Sequence, residues 1–158
     1  MILFNFGGLI KGDSKYDKHK DWIQVESAQL NVKRDIESTE GRKDRKLLTP
    51  DFDDVTLTKY ADKASVDLFV EAAGGKKPQK AEIHFCNVTN KGPKVFMTWE
   101  LTNTVISSYD ISSEGGRPFE TISLNFTQIK VGYTGFKSDG KEEKVSPKGW
   151  NLESGGKL

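Results

Sequence analysis

Val95-Phe-Met97-Thr-Trp99-Glu-Leu101 places an apolar side chain at every second position. This is the period of a β-strand with one buried face. The pattern resumes out of phase at Val105-Ile106, so the strand continues in shifted register. Working outward, Ile83 and Phe85 suggest a strand before it. Beyond it, Ile122, Leu124 and Phe126 give a last strand its first phase, and Ile129, Val131 and Tyr133 its second, with a bulge implied near Thr127. Towards the N-terminus, Ile2, Phe4 and Phe6 share a face, and Val55 and Leu57 mark another strand. The stretch from Trp22 to Lys33 changes phase: Ile23 and Val25 have one parity, Ala28, Leu30 and Val32 the other. A bulge near Glu26-Ser27 would keep all five on the core side. Short alternating segments between turn residues predict an all-β fold, a compact β-barrel or two packed antiparallel sheets.

One segment departs from this period. Asp62-Lys-Ala-Ser65-Val-Asp-Leu-Phe69-Val-Glu-Ala-Ala73-Gly-Gly75 combines a Ser cap candidate, good helix formers and a terminal glycine pair. It predicts one short α-helix at about 65–73, with Val66, Phe69 and Ala73 on its packed face, plugging an open end or side of the barrel. A second departure is the long extended loop at about 34–50. It holds few aliphatic residues and is dense in charge of both signs. A loop of that length in a compact domain is commonly functional. At the far end, Trp150 anchors a last short strand.

The chain has 158 residues, which predicts a single domain over 1–158 with a frayed tail at 153–158. Lys+Arg 24 against Asp+Glu 23 leaves a net charge of +1, so no global basic field draws nucleic acid. No apolar run reaches the roughly 18 residues of a membrane span, so neither nucleic acid nor membrane insertion is expected. The apolar start Met1 to Lys11 lacks a basic segment and a small-residue cleavage site, so no secretory signal is expected. A single cysteine, Cys86, cannot form an internal disulfide and reads as a packed thiol.

Chemical motifs are sparse. Gly7 to Ser14 superficially fits a phosphate loop, but Asp13 stands where the lysine is needed and would repel phosphate. His19, His84 and Cys86 are too few for a tetrahedral zinc site, and Asp51, Asp53 and Asp54 lack calcium-loop spacing. Ser14, Asp17 and His19 lie in a charged turn without a nucleophile-elbow sequence. No catalytic residue, metal or cofactor is expected, and the protein is not expected to be an enzyme.

Several stretches, in order along the chain, carry a family resemblance. Gly12-Asp-Ser14 followed by Asp17-Lys-His19-Lys-Asp-Trp22-Ile-Gln-Val25 resembles the opening signature of the hemolysin-coregulated protein (Hcp) family. Thr58-Lys-Tyr-Ala-Asp-Lys-Ala-Ser65, Val105-Ile-Ser-Ser-Tyr109, Glu120-Thr-Ile-Ser-Leu-Asn-Phe126 and Gly149-Trp150 are similar to later parts of it. The chain departs from the family in its strongly charged loop, in Val66 where a proline is common, and in Ala72-Ala73 where a cysteine is common.

The resemblance implies a small β-barrel with one helix that assembles into six-membered rings, which stack as the inner tube of the type VI secretion system. It also implies as partners other copies of the chain, contractile sheath and tip proteins, and effector proteins carried in the lumen. The implied location is the bacterial cytoplasm during assembly, followed by secretion without a cleaved signal peptide. The alternative is a stand-alone β-barrel binding module related to phage tail tubes.

Within that frame, strand parity selects a lumen face. With Ala28, Leu30 and Val32 inward, Gln29, Asn31 and Lys33 point outward; with Ile122, Leu124 and Phe126 inward, Thr121, Ser123 and Asn125 do so. The mixed-charge loop suits ring stacking through Asp35, Glu37, Glu40, Arg42, Lys43, Asp44, Arg45 and Lys46.

Overall fold

The computed structural model describes residues 1–38, 41 and 43–158. Over these residues it is built of antiparallel strands with an α-helix and a 3-10 turn at Asp17–His19. The strands are β1 (Ile2–Phe6), β2 (Ile23–Val25), β3 (Ser27–Gln29), β4 (Val32–Ser38), β5 (Arg45–Phe52), β6 (Val55–Tyr60), β7 (Gln79–Thr89), β8 (Gly92–Ser112), β9 (Phe119–Asn125), β10 (Gln128–Phe136), β11 (Glu142–Asn151) and β12 (Gly156–Lys157). Helix α1 spans Ser65–Gly74.

Two bent stretches make the barrel. The strand read from Val95 to Ile106 is the 21-residue β8. Its first half pairs with β7 and β10 and its second half with β9. Between the halves Asn103 adopts φ 55°, a left-handed conformation that turns the strand and produces the phase change in its sequence. At the opposite corner β2 stops at Val25 and β3 starts at Ser27, with Glu26 donating its backbone N–H to Thr58 at 2.7 Å. The pairings then run β1 to β2, through that corner to β3, and on to β6, β9, β8, β7 and back to β1. Closure in this way pairs the edges within this circuit, while β10 and β11 extend from β8 to an outer edge covered only by the two-residue β12. The expected last strand divides at Phe126-Thr127 into β9 and β10, which lie along the two halves of β8.

The inward rows fill the barrel. Phe4, Phe6, Ile23, Leu57, Leu68, Ile83, Leu101, Ile122 and Leu124 are fully buried. Burying each such side chain contributes on the order of 1.5–3 kcal/mol.

Helix α1 presents a different face from the expected one. Ala64 and Leu68 are buried and Ala72 packs against the core, whereas Val66 and Phe69 are 70% and 59% exposed. Spacing of four places Ala64, Leu68 and Ala72 on one stripe, and the two alanines allow close approach to the sheet. Ser65 does not cap by its side chain at the helix start. Its Oγ instead accepts the N–H of Asp62 at 2.9 Å, and Asp62 Oδ1 accepts the N–H of Ala64 at 2.9 Å.

The expected loop at 34–50 is a two-stranded ribbon, β4–β5, separate from the main sheet. Val32 faces Phe52 and Ile36 faces Leu47, with a register shift between Arg34 and Ile36. Val32 therefore belongs to this arm, 52% exposed, and not to the core row with Ala28 and Leu30. The tail expected to fray is paired: Lys157 lies opposite Trp150, and the Leu158 N–H reaches the Gly149 carbonyl at 3.0 Å. Among the described residues no helix is long and apolar enough to cross a membrane.

Candidate functional site

The most ordered polar surface is the outer face of the sheet β3-β6-β9-β8. Facing pairs in antiparallel strands project to the same side, so register alone defines its rows. Gln29 lies opposite Thr56, Thr56 opposite Ser123, and Ser123 opposite Ser108. In the next row Ser27, Thr58, Thr121 and Asp110 follow one another across the same four strands. Ser27 and Thr58 share a hydrogen bond between their hydroxyls. These two rows are hydroxyls and one amide, with a single carboxylate at one side; the next row is aromatic, Tyr60 facing Phe119 with ring centroids 5.1 Å apart and both rings exposed.

The six residues selected by parity separate into three groups. Gln29, Thr121 and Ser123 stand together on this face. Asn31 and Asn125 lie at one end of it, each donating its side-chain amide to a carboxylate: Asn31 to Asp53 at 2.6 Å and Asn125 to Asp54 at 2.8 Å. Ser107 also donates to Asp54. Lys33 lies apart from them, on β4 at the base of the arm, 3.6 Å from Asp51. Parity within single strands missed Thr56, Thr58 and Ser108; the equally regular Val55-x-Leu57 alternation already marked the first two as outward.

The arm carries the second candidate surface. Every residue of β4 is exposed. Part of its charge is used internally, since Lys33 pairs with Asp51 across the ribbon, while Glu37 stands opposite Lys46 in register. Asp35 sits at the register shift; Lys43, Asp44 and Arg45 lie at the tip, all exposed. Glu40 and Arg42 lie outside the described residues. Ile36 and Leu47 are apolar, opposite each other, and 52% and 54% exposed.

A third feature escaped the sequence reading. Lys59 and Glu120 are both fully buried on the inner face and ion-paired. Asp62 lies 2.9 Å from the same ammonium and Ser65 Oγ 3.3 Å away, while Tyr109 donates its phenol to Glu120. Burial, and then the bond to Glu120, raises the Tyr109 phenol above its ordinary range. This network joins β6, β9, β8 and the start of α1. It is closed to solvent and structural in character.

The remaining candidates are quiet. Cys86 is buried, with its Sγ 3.8 Å from the His84 carbonyl, and burial raises its pKa, which disfavours the reactive thiolate. Gly7 and Gly8 have φ 57° and 71° and form the turn after β1. Among the described residues no group of three or more His, Cys, Asp and Glu is placed to hold a metal ion. His19 and His84 do meet, Nε2 to Nδ1 at 2.9 Å.

Comparison with known proteins follows the same lines as the geometry. Residues 4–133 match the family described as "Type VI secretion system effector, Hcp". Protein hcp1 of Pseudomonas aeruginosa is 29% identical over 102 residues, an alignment covering 63% of each chain. A solved structure of a type six secretion system protein is 28% identical, with TM-score 0.87 over 99% of this chain and 98% of that one. Hcp1 from Salmonella typhimurium shares the fold at 22% identity, with TM-score 0.77 over 99% and 97%. With residues 4–133 matched by the family model and the fold shared over nearly the whole chain, the chain belongs to the Hcp family of the type VI secretion system.

Proposed function

We propose that the protein is a structural subunit of the type VI secretion inner tube, forming six-membered rings that stack and carry effector proteins in their lumen. The observation that carries this reading is the arm. A two-stranded ribbon detached from its sheet is marginally stable by itself in water, yet β4 and β5 are paired on both sides of the register shift and leave Ile36 and Leu47 uncovered. Such a projection gains stability when a neighbouring subunit covers the apolar pair and meets the charged tip. Stacking through Asp35, Glu37, Lys43, Asp44, Arg45 and Lys46 fits this role.

The polar sheet face supports the lumen assignment. A conduit lined by Gln29, Thr121, Ser123 and their neighbours Thr56, Thr58 and Ser108 would contact cargo weakly over these rows, with the Tyr60–Phe119 pair bordering them. Asn31 and Asn125 would rim it, with Lys33 beyond them at the base of the arm. Contractile sheath and tip proteins would engage the outside of the tube, and the subunit would leave the cell through the machine it builds. A structural role without catalysis accords with the family.

Native mass spectrometry with electron microscopy of the purified protein tests the proposal. Rings of six, and stacks of them, are the expected result. A persistent monomer at micromolar concentration overturns it and favours the stand-alone binding module.

A further inference from the structure

The turn from Gly12 to Trp22 folds back on itself: Gly12 N–H reaches the Asp21 carbonyl at 2.7 Å, and Ser14 exchanges backbone bonds with Trp22 and Asp21 at 3.1 and 2.8 Å. Among the described residues one side-chain hydrogen bond ties this turn to the sheet, the contact between His19 Nε2 and His84 Nδ1 on β7 at 2.9 Å. His19 is 2% exposed. Trp22 packs on both rings, its centroid 4.7 Å from His19 and 4.6 Å from His84. The other imidazole nitrogen of His19, Nδ1, is buried without a partner.

We infer that the His19–His84 pair is an acid-sensitive latch that holds the Gly12–Trp22 turn on the barrel and releases it when both rings are protonated. The bond needs one N–H and one lone pair between the two rings. A first added proton can be shared across the contact; a second places two N–H donors and two positive charges face to face, with no lone pair between them.

The surroundings set where this occurs. On the sheet side, Glu82 and Glu100 favour protonation of His84, while Lys80 and His19 oppose it. On the turn, Lys18 opposes protonation of His19, and Lys15 and Asp17 line the same cleft. Lys91, Lys94, Glu142 and Lys144 reach it from β7–β8 and β11. Burial is the largest influence on both rings. It pushes His84 down to about 4 and lowers His19 as well, so the latch stays shut at neutral pH. Because the rings are in contact, the protons bind in two coupled steps that belong to the pair.

The chain has two histidines, so imidazole NMR of the wild-type protein reads the pair directly. The test follows those signals and the amide exchange of residues 12–22 between pH 7.5 and 3, with exchange corrected for its intrinsic pH dependence. Both rings should titrate below the ordinary 6.5, and protection of the turn should fall with them, about tenfold per pH unit for each proton taken up. Protection in β7 and β8 should persist. His84→Gln, which offers a hydrogen-bond partner but does not titrate in this range, should keep the turn protected in acid. Imidazoles titrating near 6.5 with no loss of protection, or loss at the same pH in His84→Gln, would overturn the latch. None of these readings depends on ring formation.

Discussion

Lys59 and Glu120 face each other across β6 and β9 as an ion pair with neither side chain exposed. Removing one partner leaves the other charge in the core, so Lys59→Ala should cost about 3–5 kcal/mol. Replacing both, as in Lys59→Met with Glu120→Leu, should recover only part of that loss, because the Lys59 and Glu120 charges leave together but Asp62, 2.9 Å from the ammonium, and the Tyr109 hydroxyl lose their partners. Urea denaturation of the two single variants and the double variant measures the coupling. Additive losses would place the pair outside the structural network.

The same network fixes the sign of a pH effect at the alkaline end. Tyr109 is held protonated by burial and by its bond to Glu120, whereas in the unfolded chain its pKa is about 10. The stabilisation is therefore complete below pH 10 and is lost progressively as pH rises above that value. Tyr109→Phe should remove this alkaline dependence while lowering stability at pH 7. Melting temperatures across pH 8–11.5 for both proteins check it.

Helix orientation predicts a contrast between adjacent residues. Leu68 is fully buried and Phe69 is 59% exposed. Leu68→Ala should cost about 2–5 kcal/mol, and Phe69→Ser should stay near 0.5 kcal/mol in the isolated subunit. Thermal melts of the two variants under conditions that keep the subunit monomeric decide it.

These residues also show how far the sequence could be read. The closed barrel was legible because both corners leave a phase change in the alternation, at Glu26 and between Leu101 and Val105. The buried pair was legible in principle, since Val55-x-Leu57-x-Lys59 and Glu120-x-Ile122-x-Leu124 put both charges on apolar faces. The helix face was misread because Val66 and Phe69 outweigh alanines in any hydrophobic count, while Ala64 and Ala72 are what let Leu68 approach the sheet. The ribbon was hidden by its charges, whose pairing of Lys33 with Asp51 and Glu37 with Lys46 emerges only once the register is known. Parity located Gln29, Thr121 and Ser123 on one side of their strands, but only pairing could show that they share one sheet.

The arm yields a prediction about stacking. Its tip charges are exposed, so their interactions are screened over about 8–10 Å near physiological ionic strength. Stacks, but not rings, should shorten as salt rises from 50 to 500 mM. Deleting residues 35–49 with a short glycine linker should spare the ring and abolish stacking in electron micrographs. Folded monomers from the deletion would assign the arm to the contact between neighbours within a ring.

The polar sheet face yields the last. Gln29 ends a row that continues through Thr56, Ser123 and Ser108, and it is exposed on the short strand β3. Gln29→Arg should therefore leave subunit stability within about 0.5 kcal/mol. Six copies in a ring would place six guanidinium groups around the conduit, each able to bind a carboxylate on passing cargo in two-pronged fashion. If this face lines the lumen, the substitution changes a weakly interacting wall into one that holds acidic proteins and repels basic ones. Co-purification of an effector carried by the wild-type ring should then change with the effector's charge, while ring mass stays the same. On the ring exterior the same six arginines would never meet luminal cargo. Unchanged retention of both an acidic and a basic effector, in rings confirmed by microscopy, would move Gln29 and its row to the outside of the tube.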